Sequence, residues 1–138
     1  MRLVMSVTSL FMLAVGAIGC SDSIGPKSIV GLWVEDSSPA GNSLDMSLAL
    51  NGSNISGQGS WCGEALGCGL TTVTGTASGN KIHLVTNFDS GGNQTFDGTL
   101  TSQNSLAGSV VGGSPGGQIQ LPHSQSFHRM TGDPPRTQ

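Results

Sequence analysis

The feature that most constrains this chain is a period-two alternation that returns as hairpin after hairpin. In residues 44–50, Leu44, Met46, Leu48 and Leu50 alternate with Asp45, Ser47 and Ala49, the pattern of a strand with one buried face. Asn51, Gly52, Ser53 and Asn54 then turn the chain, since Asn and Gly tolerate positive φ. The return strand puts Ile55, Gly57, Gly59 and Trp61 on one face and Ser56, Gln58 and Ser60 on the other. The device recurs twice. Residues 70–77 run into Ser78, Gly79 and Asn80, after which Ile82, Leu84, Thr86 and Phe88 alternate with Lys81, His83, Val85 and Asn87. Phe96, Gly98 and Leu100 likewise turn through 102–104 and come back as Leu106, Gly108 and Val110. No stretch sustains a helical period.

A first strand over 29–35 and a last one ending at 127–130 bring the count to about eight antiparallel strands, the number that closes a small barrel and removes exposed edges. The fold class expected is all-β, an up-and-down antiparallel barrel over 29–130, with a β-sandwich as the alternative. Glycine inside a strand costs stability unless it permits curvature, so the inward Gly57, Gly59, Gly98 and Gly108 predict a strongly bent sheet. The segment 112–122 is the least regular, and 118–121 extends the last strand across a break at Pro122. Only 9% of the chain is charged, which taken alone suits disorder. The regular alternation argues instead for a packed domain, with 131–138 left as a disordered tail.

Gly31-Leu32-Trp33 on the first strand, together with Arg129 on the last, resembles the calycin signature shared by lipocalins and avidins. The resemblance implies that Trp33 plugs one end of the barrel and that Arg129 packs across it as a stacked cation. Trp33 as a core aromatic of some other sandwich is the bland alternative. The chain has no Tyr, so the aromatic set that avidins place around biotin has no counterpart. The expected lumen is Leu44, Met46, Leu48, Ile55, Ile82, Leu84, Phe88, Phe96, Leu100, Leu106 and Val110. These side chains either surround a small apolar ligand or fill the space themselves.

The start of the chain has the order of a secretory signal, with Arg2 ahead of an uncharged run over 3–19. Ser6, Thr8 and Ser9 interrupt that run, which falls short of the roughly 20 apolar residues of a membrane span. Ala17-Ile18-Gly19-Cys20 resembles the lipobox of a bacterial lipoprotein precursor, although family patterns prefer Leu where Ala17 stands. The resemblance implies cleavage before Cys20, diacylglycerol on its thiol, and anchoring to a membrane through two or three acyl chains. Ser21 rather than Asp after the cysteine favours the outer membrane of the cell envelope. An ordinary cleaved signal with Cys20 as a free thiol, or an uncleaved helix, are the other readings. Residues 20–28 then form a lipidated tether carrying Gly25 and Pro26.

With Cys20 acylated, the other two of the three cysteines, Cys62 and Cys68, are left to pair, and export favours a disulfide. Without Arg2 the exported part carries four basic residues against eight acidic ones, which argues against a nucleic-acid partner. His83, His123 and His128 are expected as surface residues rather than a zinc site. The run 89–93 is expected as a hairpin turn rather than a calcium loop, and Glu64 as a solvated carboxylate. No nucleophile cluster, phosphate loop or carboxylate pair is marked out, so neither an enzyme nor a cofactor is expected. Three functions remain: a lipid-anchored barrel binding a small apolar ligand; an interaction or inhibitor module presenting the 62–68 loop, as some exported bacterial protease and lysozyme inhibitors of similar plan do; or a structural envelope lipoprotein.

Overall fold

The computed structural model describes residues 29–36, 42–117 and 119–131, of which the side chains of Asn42, Ile119, Gln120 and Leu121 are left aside. The expected leader over 1–19, the lipidated Cys20, the tether to residue 28 and the tail from 132 onward lie outside the described residues.

The protein is an all-β barrel of eight strands: β1 (Gly31–Glu35), β2 (Asn42–Asn51), β3 (Asn54–Gly63), β4 (Gly67–Ser78), β5 (Lys81–Phe88), β6 (Asn93–Ser102), β7 (Ser105–Gly113) and β8 (Ile119–Arg129). Each strand pairs antiparallel with the next, and β1 pairs with β8 through Trp33 opposite Arg129 and Glu35 opposite Phe127, so the sheet closes. That closure distinguishes the barrel from the sandwich alternative. It leaves no full edge to template another chain.

The alternation sets which residues enter the lumen. On β5 the burial runs exposed, buried, exposed, buried from Lys81, placing Ile82, Leu84, Thr86 and Phe88 inside. All eleven expected lumen residues are buried, and Val73, Ala77, Trp61, Phe127 and Ile29 join them in one apolar core. Phe96 and Phe127 meet edge to face with centroids 5.6 Å apart, a preferred aromatic geometry. Leu84 and Leu106 are 0% exposed, so the lumen is filled by its own side chains.

Two local departures have physical causes. Ile29 precedes β1 in a short helical turn rather than extending the strand, because Gly31 stands at φ 139°, which lets the chain swing inward and bury Ile29 completely. The last strand does run through Pro122, which has no N–H to give to a ladder. The register with β7 shifts there, passing from Val110 opposite His123 to Gly112 opposite Gln120, so Pro122 falls at a bulge.

Candidate functional site: the mouth of the barrel

The two ends of the barrel differ. At the end where β1 begins and β8 finishes, the Arg129 guanidinium carbon lies 5.0 Å from the centre of the Trp33 ring. Trp33 Nε1 donates to the Ile29 carbonyl at 2.8 Å. A Cβ on Gly31 would stand 3.6 Å from Arg129 Nη1, an ordinary contact, so it is the φ of 139° rather than crowding that favours glycine beside the guanidinium. Burial of this group lowers the Arg129 pKa from its usual value. Sequence had singled out Gly31, Trp33 and Arg129, and the structure brings the three together as an end plug.

The opposite end is the mouth, where β1 ends and β2 begins and where the β3–β4, β5–β6 and β7–β8 turns lie. Its cavity, about 30 Å³, is lined by Glu35, Ser43, Leu44, Trp61, Phe88, Gln94, Ser114, Pro115, His123 and Gln125. Strand parity puts these polar groups inside: Gln94 opens the inward row of β6, while His123 and Gln125 share the inward row of β8 with Phe127. Gln94, Ser114 and Gln125 are buried, as are Thr71 and Thr86, so a polar layer caps the apolar lumen.

Gln125 Nε2 donates to Glu35 Oε1 at 2.8 Å. Its Oε1 is buried and has no hydrogen-bond partner among the described residues. Desolvation raises the Glu35 pKa above 4.5; the Gln125 hydrogen bond and the nearby His123 pull the other way, and the Asp45 charge adds to the rise. At the start of the β5–β6 turn, Asp89 accepts from the Leu70 backbone N–H at 2.8 Å and from the Trp61 indole at 3.0 Å. Those two donors, Leu70 first, lower the Asp89 pKa, because hydrogen bonds to the charged form favour it. Residues 89–93 thus form a hairpin turn, as expected, and Asp89 additionally fixes the Trp61 ring in the mouth wall.

The loops meet over this cavity. Cys62 faces Cys68 across the β3–β4 hairpin, with the sulfurs bonded at 2.07 Å. Leu66 at its tip is 48% exposed and lies 3.5 Å from the place a Cβ would take on Gly116 of the β7–β8 connection. The Gly116 N–H donates to Ser90 Oγ at 3.0 Å, tying the β5–β6 turn to the same point. Charge follows the same axis. Glu35, Asp36, Asp45, Glu64 and Asp89 gather at the mouth end, Lys81 and Arg129 lie at the plugged end, and Asp97 sits along the wall.

The histidines divide. His83 and His128 are exposed, each with its Nδ1 2.6 Å from a carboxylate, Asp97 and Asp36 respectively. His123 is half-buried in the mouth, which corrects its expected place on the surface. The signal was available: 123 and 127 share parity on β8, and Phe127 had to face inward. Among the described residues no group of three or more His, Cys, Asp or Glu is placed to hold a metal. The mouth's glutamines were missed altogether, because a polar residue in an inward slot reads as a break in the pattern.

This geometry defines a class, a closed eight-stranded antiparallel barrel plugged at one end with a polar, acidic mouth at the other. No protein-family model matches the chain, and no curated protein matches it either.

Proposed function

We propose that this protein is an exported, lipid-anchored β-barrel of the cell envelope that docks a basic partner protein on its mouth-end loops. The observation that carries the reading is that Glu35, Asp36, Asp45, Glu64 and Asp89 all fall toward the mouth end of their strands and turns, the end at which the disulfide-clamped hairpin presents exposed Leu66. A closed ring lowers the ordering cost of presenting a loop. One-signed charge at a rim speeds encounter with the opposite sign and penalises wrong partners. Lipid on Cys20 would tether the chain ahead of the plugged end, where β1 begins, and leave the mouth pointing away from the anchor. The stacking of Arg129 on Trp33 supports kinship with calycin barrels.

A cup for a small apolar molecule fits the geometry less well. Ligand pockets run to about 300–1,000 Å³, whereas the mouth cavity is about 30 Å³, so such a guest would have to displace lumen side chains.

The test is recovery of partners from envelope extracts on the wild-type chain and on a Glu64→Lys, Asp45→Asn variant. A basic protein held by the wild type, weakened by salt and lost from the variant, is expected. Retention of the same partners by the variant overturns the docking reading. Fractionation of a Cys20→Ala form, expected to leave the membrane, tests the anchor independently.

A further inference from the structure

We infer that the plugged end of the barrel is a lipid-contacting face, on which Val30, Leu32 and Met130 enter the interfacial region of the bilayer that holds the acyl chains of Cys20. This rests on the lipid-anchor part of the reading above and goes beyond it, because a tether alone leaves the barrel free to tumble over the membrane.

The apolar side chains are collected at this end. Val30 and Met130 are each 44% exposed and Leu32 37%, half of the six large apolar residues that stand exposed among the described ones. Strand parity explains the grouping. Trp33 opposes Arg129 across the β1–β8 seam, and the two side chains stack inside the plug. Their chain neighbours Leu32 and Met130 therefore turn outward side by side, and the Met130 N–H donates to the Leu32 carbonyl at 2.9 Å. Val30 stands just ahead, where the chain enters β1.

Charge and tether length say what covers this seam. The turns at the plugged end, 51–54, 78–81 and 102–105, contain Lys81 and no acid. Glu35, Asp36, Glu64 and Asp89 stand in or beside the connections at the mouth. An anionic headgroup layer therefore attracts the first end and repels the second. The flanking segments do not disturb this balance, since Asp22 and Lys27 cancel in the tether and Asp133 and Arg136 cancel in the tail. From Cys20 to Ile29 the chain advances nine residues, which at full extension reach at most about 30 Å. So short a link presents the seam to the lipid surface at a roughly millimolar effective concentration. A patch too small to bind a membrane unaided then suffices as a second signal beside the acyl chains.

The test takes the chain from Cys20 onward and couples that thiol to a maleimide-bearing phospholipid in nanodiscs of phosphatidylcholine and phosphatidylglycerol, with a minor lipid carrying a nitroxide at its headgroup. Methyl NMR then reads both ends of the barrel. The expected result is loss of signal at Val30, Leu32 and Met130, with Leu66 and Val111 toward the mouth retained. Leu32→Asp, on the outer face, should cut that loss about tenfold by removing an apolar contact and adding a charge like that of the lipid. The contrast between the two ends is read in the wild type, so it does not depend on the variant folding. Equal loss at both ends, or none at either, overturns the inference. So does a concentration-dependent shift of the three residues' methyls without lipid, which would assign the seam to a second copy of the chain. The anchor is read separately, from the intact mass of protein taken from native membranes. Acyl chains on Cys20 with unaffected methyls in the nanodisc remove the contact face alone, and a bare Cys20 thiol removes the anchor and the contact face together.

Discussion

Leu106→Ala measures whether the lumen is a packed core or a slack cup. Leu106 on β7 stands opposite Leu100 on β6 and Phe127 on β8, and all three are at most 1% exposed. Truncation removes about three methylene equivalents, worth about 2.4 kcal/mol at 0.8 kcal/mol each. Strands hydrogen-bonded on both sides relax little, so a void of roughly 60 Å³ should remain and add about 1.4 kcal/mol. The expected loss is about 4 kcal/mol, a large part of the 5–15 kcal/mol that holds a small domain. Urea unfolding with the intrinsic fluorescence of Trp33 and Trp61 reads it as a lower midpoint at unchanged slope. The same variant should newly bind xenon, as dry engineered cavities do. A loss under about 1 kcal/mol would mean that neighbours already have room to move, and the argument against an apolar guest would fall with it.

Two further outcomes follow from the mouth. Glu35 has its folded-state pKa raised from 4.5, so its contribution to stability is complete below the unfolded value and declines as pH rises through the folded one. Glu35→Gln should therefore raise the urea midpoint at about pH 7 and leave it unchanged at about pH 4; a variant equally stabilised at both would show that desolvation of the carboxylate is not the cause. Replacing Cys62 and Cys68 together by Ser opens a short ring and should cost about 2 kcal/mol, with reductant lowering the wild-type midpoint to match. A larger loss of partner binding than of stability in that variant is the outcome the docking reading expects.

Strand count, order and closure were legible because a filled barrel imposes one rule, inward every second residue, on every strand. Leu44 to Leu50 and Ile82 to Phe88 obey it without exception, and glycine-bearing turns such as Gly52 and Gly79, both at positive φ, mark where it reverses. The plug was legible because Trp33 and Arg129 belong to strands that meet only on closure, so their pairing was implied once the barrel was. The mouth was not legible. Gln94, His123 and Gln125 satisfy the parity and violate the polarity, and sequence alone does not separate a polar inward residue from a strand that has ended. Pro122 compounded this, since its place at a bulge depends on a β7 register that 112–117 conceals.

The polar layer at the mouth is where this chain departs from the most stable solution open to it. Elsewhere the inward slots hold apolar side chains or glycine, and an apolar residue at Gln125 would remove a buried amide whose oxygen has no partner among the described residues. Replacing hydrogen-bonded polar groups by apolar ones of similar shape is often neutral or stabilising, so packing does not require Gln94, Gln125 and Glu35 in the mouth. Nor does solubility require them there, because buried glutamines contribute little to the surface. Local rules break in natural proteins chiefly at functional or strained sites. Here the break coincides with the acidic rim, the clamped hairpin and the one half-buried carboxylate of β1, Glu35. At the plugged end the half-buried Arg129 is instead stacked on Trp33, which is a structural use of charge. The two ends thus separate by chemistry as well as by topology: a single cationic side chain packs on Trp33 at one end, and a layer of buried polar side chains lies at the other.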